Sequence, residues 1–337
     1  MSSILQSRNY PPQHGIIVPI DHHRGVIRLL LGTTPMRESD ADFLAELLLN
    51  NDVRCVYSHG SQQLPDYMKN LNGGGINPKP NVKVTANFAA TAVVNGDGGL
   101  GYIACRDGME LVLKKTKEFG MGAVATGNHH HFGSASHWTR MAVGEGFIGM
   151  AMSSHRRELD GSGMVLDLVM SSPLSIAFPA GDQPPFILDM GGGILPKRED
   201  LMEAVPNSFF KGLGISAAIQ MFGGVLAGIN RPQEKSDHIP WISNQGSFLC
   251  AFDVKRFMDA GEYAEEIDRF IATVRAMEPF PGLDRAELPG GMEWQWERDN
   301  RARGAFSMGD GHRENLEELA ACVGVECSYE AFEGTRF

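Results

Sequence analysis

Four sets of residues in this chain are of types that could do chemistry. Ser58-His59-Gly60 follows a short apolar run and precedes a short helical stretch ending in Gly73-Gly74-Gly75, so His59 lies at an element boundary. A histidine beside a hydroxyl and a glycine suits proton transfer near neutral pH, although surface and capping histidines have the same neighbours. His129-His130-His131 is a second candidate. Three consecutive side chains diverge and cannot all face one point, and no HExxH or paired CxxC accompanies them, so no metal site is expected. A structural or ligand-orienting role for one of them, His131, fits better. Asp189 ends an apolar run and enters Gly191-Gly192-Gly193, where it reads equally as a turn-former bonding nearby backbone or as a partner that orients and charges a histidine. Lys211, at the glycine-rich entry to an apolar helix, could meet a phosphate or simply be solvated.

The elements that must position these residues follow from periodicity. GMGAVATGNHHHFGSASHWTRMAVGEGFIGMAMSS reads as two buried strands joined by a polar turn and a helix over 135–145, which sets Asn128 to Gly133 at a strand's end and a helix's start. Such junctions are where α/β proteins hold ligands. SDADFLAELLLNNDVR is a helix capped by Ser39 or Asp40, with Phe43, Leu44, Leu47 and Leu48 on one face. TAVVNGDGGLGYIACRDGMELVLKKTKEFGMGAVAT reads as strand, glycine turn over 95–101, helix over 102–119 and strand; GDGGLG lacks the G-x-G-x-x-G register of a Rossmann site and carries no Walker lysine. Two strands flank AGDQPP, and SFFKGLGISAAIQMFGGVLAGI is expected to be a buried helix. GSFLCAFDVKRFM reads as strand then helix, EYAEEIDRFIATVRAM and ENLEELAACVG as helices, and LPGGMEW as a tight loop.

Composition narrows the class. With 337 residues, 42% of them hydrophobic, the chain can bury a large core. Its net charge of -11 argues against nucleic acid or an anionic membrane as partner and favours a small molecule. No apolar stretch reads as a membrane span, and MSSILQSRNYPPQH lacks the pattern of a signal peptide, so a cytoplasmic location is expected. Five scattered cysteines predict buried reduced thiols with no catalytic role.

In order, VYSHG with LPDYMKNLNGGGINP, TAVVNGDGGLGYIA, GMGAVATGNHHHFG, EGFIGMAM, PPFILDM, FKGLG, the strand and helix over 245–256, and LPGGMEW cover most of the chain. Together they resemble the malate/L-lactate dehydrogenase family that lacks a Rossmann fold, with ureidoglycolate dehydrogenase, diketogulonate reductase and cyclic-imine carboxylate reductases among its members. The resemblance implies an α/β, non-Rossmann mixed-sheet fold with a helical N- and C-terminal domain. Residues 1–118 with 240–337 would form a helical substrate and dimerisation domain, and 119–239 a cofactor-binding domain. It implies a homodimer using NAD or NADP to interconvert a small 2-hydroxy acid and 2-oxo acid, or a related cyclic imine and amine. His59 would be the general acid/base, flanked by Ser58, and Asp189 would polarise it beside the nicotinamide. Ile187, Leu188, Met190, Gly191, Phe210, Lys211, Gly290, Gly291 and His131 would contact the cofactor, and Gln63, Tyr102 and Arg54 the substrate.

The chain departs from the family pattern at several of these positions. Gln63 stands where an arginine usually clamps a substrate carboxylate, Met170-Ser171-Ser172-Pro173 replaces a GTNP turn, and Tyr102 replaces a glutamine. Gly192-Gly193 replaces hydroxyl residues, Gly291 an acidic one, and the segment between Asp189 and Lys211 is short. Three readings stay open: a 2-hydroxy acid oxidoreductase, a divergent member with another substrate or non-redox chemistry, and a catalytically silent dimeric binding protein.

Overall fold

The computed structural model describes residues 9–157, 159–168, 172–193, 198–234 and 240–337. In chain order its first elements are β1 (Gly15–Pro19), α1 (Ile20–Leu31), α2 (Glu38–Val53), α3 (Leu64–Asn72), β2 (Lys83–Asn87), β3 (Thr91–Asn95), α4 (Gly101–Phe119), β4 (Met121–His129), α5 (Ala135–Gly144) and β5 (Phe147–His155). There follow β6 (Pro173–Phe178), β7 (Phe186–Gly191), α6 (Glu199–Ala204), α7 (Pro206–Gln220), β8 (Gln245–Asp253), α8 (Ala260–Arg275), α9 (Gly291–Arg303), β9 (Ala305–Gly309) and α10 (Asp310–Cys322).

The chain divides into two compact units, residues 1–74 with 270–337 and residues 75–269. In the first, β1 and β9 pair antiparallel from Gly15 opposite Gly309 to Pro19 opposite Ala305. Helices surround this ribbon because each has an apolar stripe to bury: Ile27, Leu30 and Leu31 of α1, Leu44 and Leu48 of α2, and Leu316 of α10 are inaccessible alongside Ile16, Phe306 and Met308. The N-cap of helix α2 lies two residues before Ser39 and three before Asp40, the caps expected. Arg37 stands at its N-cap without a side-chain bond, and Glu38 and Asp40 enter the first turn, where the helix dipole favours acids.

The second unit is a seven-stranded sheet in the order β2-β3-β4-β8-β5-β6-β7, antiparallel except for β3 beside β4. That parallel pair is joined through α4, as parallel neighbours require. A mixed sheet of this order is the non-Rossmann α/β architecture expected from the sequence. The boundaries differ from those expected: residues 75–118 and 240–269 belong with the sheet, to which they contribute β2, β3 and the central β8. Strand β8 lies between β4 and β5 with Leu249 and Ala251 inaccessible, and the helix expected after it is a single turn, Val254–Arg256.

Two further expectations are corrected. The segment from Pro206 is helical, continuing from α7 into a π-helical turn over Met221–Leu226, but it is not buried: Phe210 is 70% exposed, Met221 62%, Val225 65% and Leu226 54%. Its 21 residues also meet the length and hydropathy of a membrane span, which the sequence reading denied to any stretch. LPGGMEW is only partly a loop, since Gly290 caps α9 in the left-handed region and Gly291 opens the helix. Of the cysteines, Cys55, Cys105 and Cys250 are buried, whereas Cys322 is exposed.

Candidate functional site

In the first unit, α2 stops at Val53 and Cys55 adopts φ 61, which turns the chain sharply before two single helical turns, Tyr57–His59 and Ser61–Gln63. Ser58 is exposed and His59 half-buried on the first turn. The Ser58 hydroxyl meets His59 Nδ1 at 3.1 Å, and Gln63 Nε2 donates to the Ser58 carbonyl at 2.6 Å. Asn51 Nδ2 donates to the His59 carbonyl at 2.8 Å, and the Tyr57 hydroxyl donates to the Ser307 carbonyl at 2.6 Å. Burial pushes the Tyr57 hydroxyl well above its ordinary range and the Cys55 thiol up to about 11, so neither group ionises beside His59. Gln63, where a carboxylate clamp was expected to be missing, therefore braces the turn that carries the histidine.

Beneath the turn lies a buried polar cluster. His23 Nε2 donates to Asp52 Oδ2 at 3.0 Å and stands 3.1 Å from Ser61 Oγ, its Nδ1 meets the Tyr329 hydroxyl at 2.8 Å, and Ser61 Oγ is 2.7 Å from His312 Nε2. All these side chains are buried. Burial, opposed by the Asp52 charge, lowers the His312 imidazole to about 4. His23, Asp52 and His312 bring ligand-type atoms within 4.8 Å, yet Ser61 Oγ stands at hydrogen-bond distance from both imidazoles, so the group is a hydrogen-bonded knot rather than an open coordination shell.

In the second unit, Asp189 is the fourth residue of β7, opposite Ser175 of β6, and not on the loop beyond. It is exposed. Its Oδ2 accepts the Ser136 N–H at 2.9 Å and the Ser134 hydroxyl at 2.9 Å, which places a carboxylate at the N-terminus of α5. Neither alternative expected for Asp189 included this cap, because Ser134 and Ser136 are more than fifty residues away in sequence.

The histidine run is divided by burial. His129 is inaccessible: Nδ1 donates to the His130 carbonyl at 2.7 Å and Nε2 accepts the Thr126 hydroxyl at 2.9 Å. Burial pushes its imidazole down to about 4, so it is neutral at pH 7. A Cβ at Gly101 would lie 2.8 Å from His129 Nδ1, so the glycine turn expected over 95–101 is where His129 packs closely. His131, the histidine expected to carry a structural or ligand-orienting role, is half-buried; its carbonyl accepts the Gly101 N–H at the start of α4. Tyr102 is buried with its ring edge-on to His131 at 6.5 Å, which makes it a core residue.

The profile of malate/L-lactate dehydrogenase matches residues 18–199 and 192–316. The chain belongs to the malate/L-lactate dehydrogenase family. It is 27% identical to malate dehydrogenase of Pyrococcus horikoshii over 95% of this chain and 99% of the relative, and the solved structure of that enzyme superposes with a TM-score of 0.80 over the same shares. L-sulfolactate dehydrogenase of Methanocaldococcus jannaschii is 28% identical over 76% of this chain and 83% of its own length. Ureidoglycolate dehydrogenase (NAD(+)) of Escherichia coli is 22% identical over 76% and 82%. The chain is thus an oxidoreductase of a dehydrogenase family, and identities this low make it a divergent member.

The dehydrogenase presents a donor set that suits a nicotinamide cofactor in part. Phe210 offers an exposed ring and Lys211 an exposed cation, while Asp189 keeps Oδ1 clear of the two donors that hold Oδ2. Leu188 and Met190 are half-buried and Gly191 is exposed, whereas Ile187 is buried. At Gly291, beside the start of α9, a Cβ would lie 2.5 Å from Cδ of Glu287, whose buried carboxylate pairs with Arg275 Nε at 3.2 Å. Arg54, expected near the substrate, is buried with Nε 3.8 Å from Glu297 Oε2. Met170 and Ser171 of the replaced turn lie outside the described residues. Sequence reasoning missed His23, Asp52, Ser61, His312 and Tyr329, and also Ser134 and Ser136. Only Ser61, next to SHG, and the serines of HFGSAS carried a local signal.

Proposed function

We propose that this chain is an NAD(P)-dependent dehydrogenase that interconverts a small 2-hydroxy acid and its 2-oxo acid, or a related cyclic imine and amine, with His59 as general acid/base. The observation that carries this reading is His59 itself: a part-exposed imidazole with Nδ1 engaged by Ser58, on a turn bound on both flanks. His59 delivers a proton from Nε2 to the substrate oxygen or imine nitrogen, and takes one back in the reverse direction. When bound, the nicotinamide supplies the hydride. Asp189, Phe210 and Lys211 are the residues that hold the cofactor, Asp189 as an acceptor through Oδ1 and Lys211 towards phosphate. Ile187, Leu188, Met190 and Gly191 shape the strand that presents Asp189.

A second reading concerns the substrate. Gln63 carries no charge and one N–H of its amide is given to the Ser58 carbonyl, which favours a substrate gripped other than by a paired arginine contact to a simple carboxylate. The apolar exposed face of α7 and the turn after it supports a homodimer, whose measure is sedimentation of the full chain. The function is tested by NADH and NADPH fluorescence on addition of protein, followed by oxidation of the bound form with a panel of 2-oxo acids and cyclic imines. Quenching with turnover of at least one panel member is expected. Quenching without turnover supports the non-redox alternative, and no quenching supports the silent binding protein.

A further inference from the structure

Two consecutive residues at the end of α2 hold the chain on either side of the His59 peptide. Asn51 Nδ2 donates to the His59 carbonyl at 2.8 Å, and Asp52 Oδ2 accepts the Ser61 N–H at 3.0 Å. Gly60 lies between these anchors. A Cβ there would fall 1.9 Å from Asp52 Oδ1, so the carboxylate is packed directly against the backbone at the residue after His59, in a place only glycine leaves open. Asp52 is fully buried, and among the described residues its Oδ1 has no hydrogen-bond partner.

A carboxylate buried with one oxygen unpartnered is costly, and an apolar side chain of similar volume would serve stability at least as well. What the carboxylate does that an apolar group could not is fix directions. Oδ2 is shared by the Ser61 N–H and His23 Nε2, His23 is itself set by the Tyr329 hydroxyl, and the Ser61 hydroxyl is set by His312. The anchors come from α1, α2, α10 and the segment at Tyr329, so the peptide after His59 is tied to separate parts of one unit. A turn of two single helical turns has too few bonds of its own to hold one conformation.

We propose that Asp52 is a positioning residue for His59: with Asn51 it clamps the His59-Gly60-Ser61 backbone so that the imidazole is presented in one orientation, and His23 holds Asp52 in place. This rests on the reading of His59 as proton donor. A proton donor displaced by a fraction of its hydrogen-bond length loses rate without any loss of cofactor binding.

The test uses the full chain and its Asp52→Asn, Asn51→Ala and His59→Ala variants, with NADH and oxaloacetate as probes. In Asp52→Asn the Ser61 amide should exchange with solvent about tenfold faster and the His59 ring resonances should broaden or split, while NADH affinity stays within about threefold. The kcat should fall about tenfold or more, and its solvent deuterium isotope effect should rise as proton transfer becomes limiting. A role in folding alone would lower kcat only with the folded fraction and leave the isotope effect at the wild-type value, and that result overturns the proposal. Asn51→Ala removes one bond without disturbing the buried charge; it should show the same changes at about threefold if Asp52→Asn does not fold. Turnover retained in His59→Ala would sink the proton-donor reading instead, and the ring and amide signals would still report whether Asp52 holds the turn.

Discussion

The Ser58–Gly60 turn and the His129–His131 turn carry the two histidine signals of the sequence, and they treat the imidazole in opposite ways. His129 is enclosed, has both ring nitrogens satisfied within its own neighbourhood and is held neutral by burial. His59 is part-exposed, and the burial is given to its supports instead: Asp52, His23 and Ser61 are inaccessible while the ring above them reaches solvent. A reacting histidine needs an accessible ring on a fixed backbone, whereas a structural histidine needs a satisfied ring in a closed core. Counting histidines therefore points to the turn whose imidazole is enclosed.

The largest effect that could break this contrast is on stability in acid. His129 and His312 both titrate at about 4 in the fold, against 6.5 when unfolded. Unfolding therefore takes up protons between those values, so their contribution is complete above about pH 6.5 and is lost as pH falls towards 4. With about 1.36 kcal/mol per unit for each histidine, denaturant titrations at pH 7 and 4.5 should differ by several kcal/mol. A stability flat over that range would show that neither ring is held neutral.

His129→Ala should cost about 2–4 kcal/mol and leave turnover per folded molecule unchanged, since it opens a cavity and leaves the Thr126 hydroxyl to the weaker Cys105 thiol contact at 3.6 Å. A variant as stable as the wild type but slow would exchange the roles assigned to the two turns. Asp189→Asn should weaken NADH binding several-fold in a fluorescence titration, because the carboxylate that caps α5 and offers Oδ1 to the cofactor is lost. NADH affinity at the wild-type value would leave Asp189 serving only the α5 N-terminus. Gln63→Arg is the smallest and sharpest change: it should improve kcat/KM for pyruvate roughly tenfold, through a charge-assisted contact of about 1.5–3 kcal/mol less the bond Gln63 gives up to Ser58. No gain in a folded variant would remove the account of substrate grip.

The strands β4, β5 and β7 and the helices α4 and α5 were legible because their periodicity is local: alternating or continuous apolar runs bounded by glycine state their own element. His59 was legible for the same reason, as a polar triplet at an element boundary. The Asp52 cluster was not, since His23, Asp52, His312 and Tyr329 are distributed along the sequence and none sits in a motif. The unit boundaries failed similarly. Nothing in GSFLCAFD says that β8 completes the sheet between β4 and β5, because strand pairing is a non-local property. The exposure of α7 was missed because an apolar helix reads as buried whether or not its own chain covers it.

The most direct test is His59→Ala, assayed for NADH binding, thermal stability and single-turnover reduction in one preparation. The account predicts native stability, cofactor affinity within a few-fold and a chemical step slower by about 100-fold or more. A chemical step at the wild-type rate in that folded, cofactor-binding variant would contradict it.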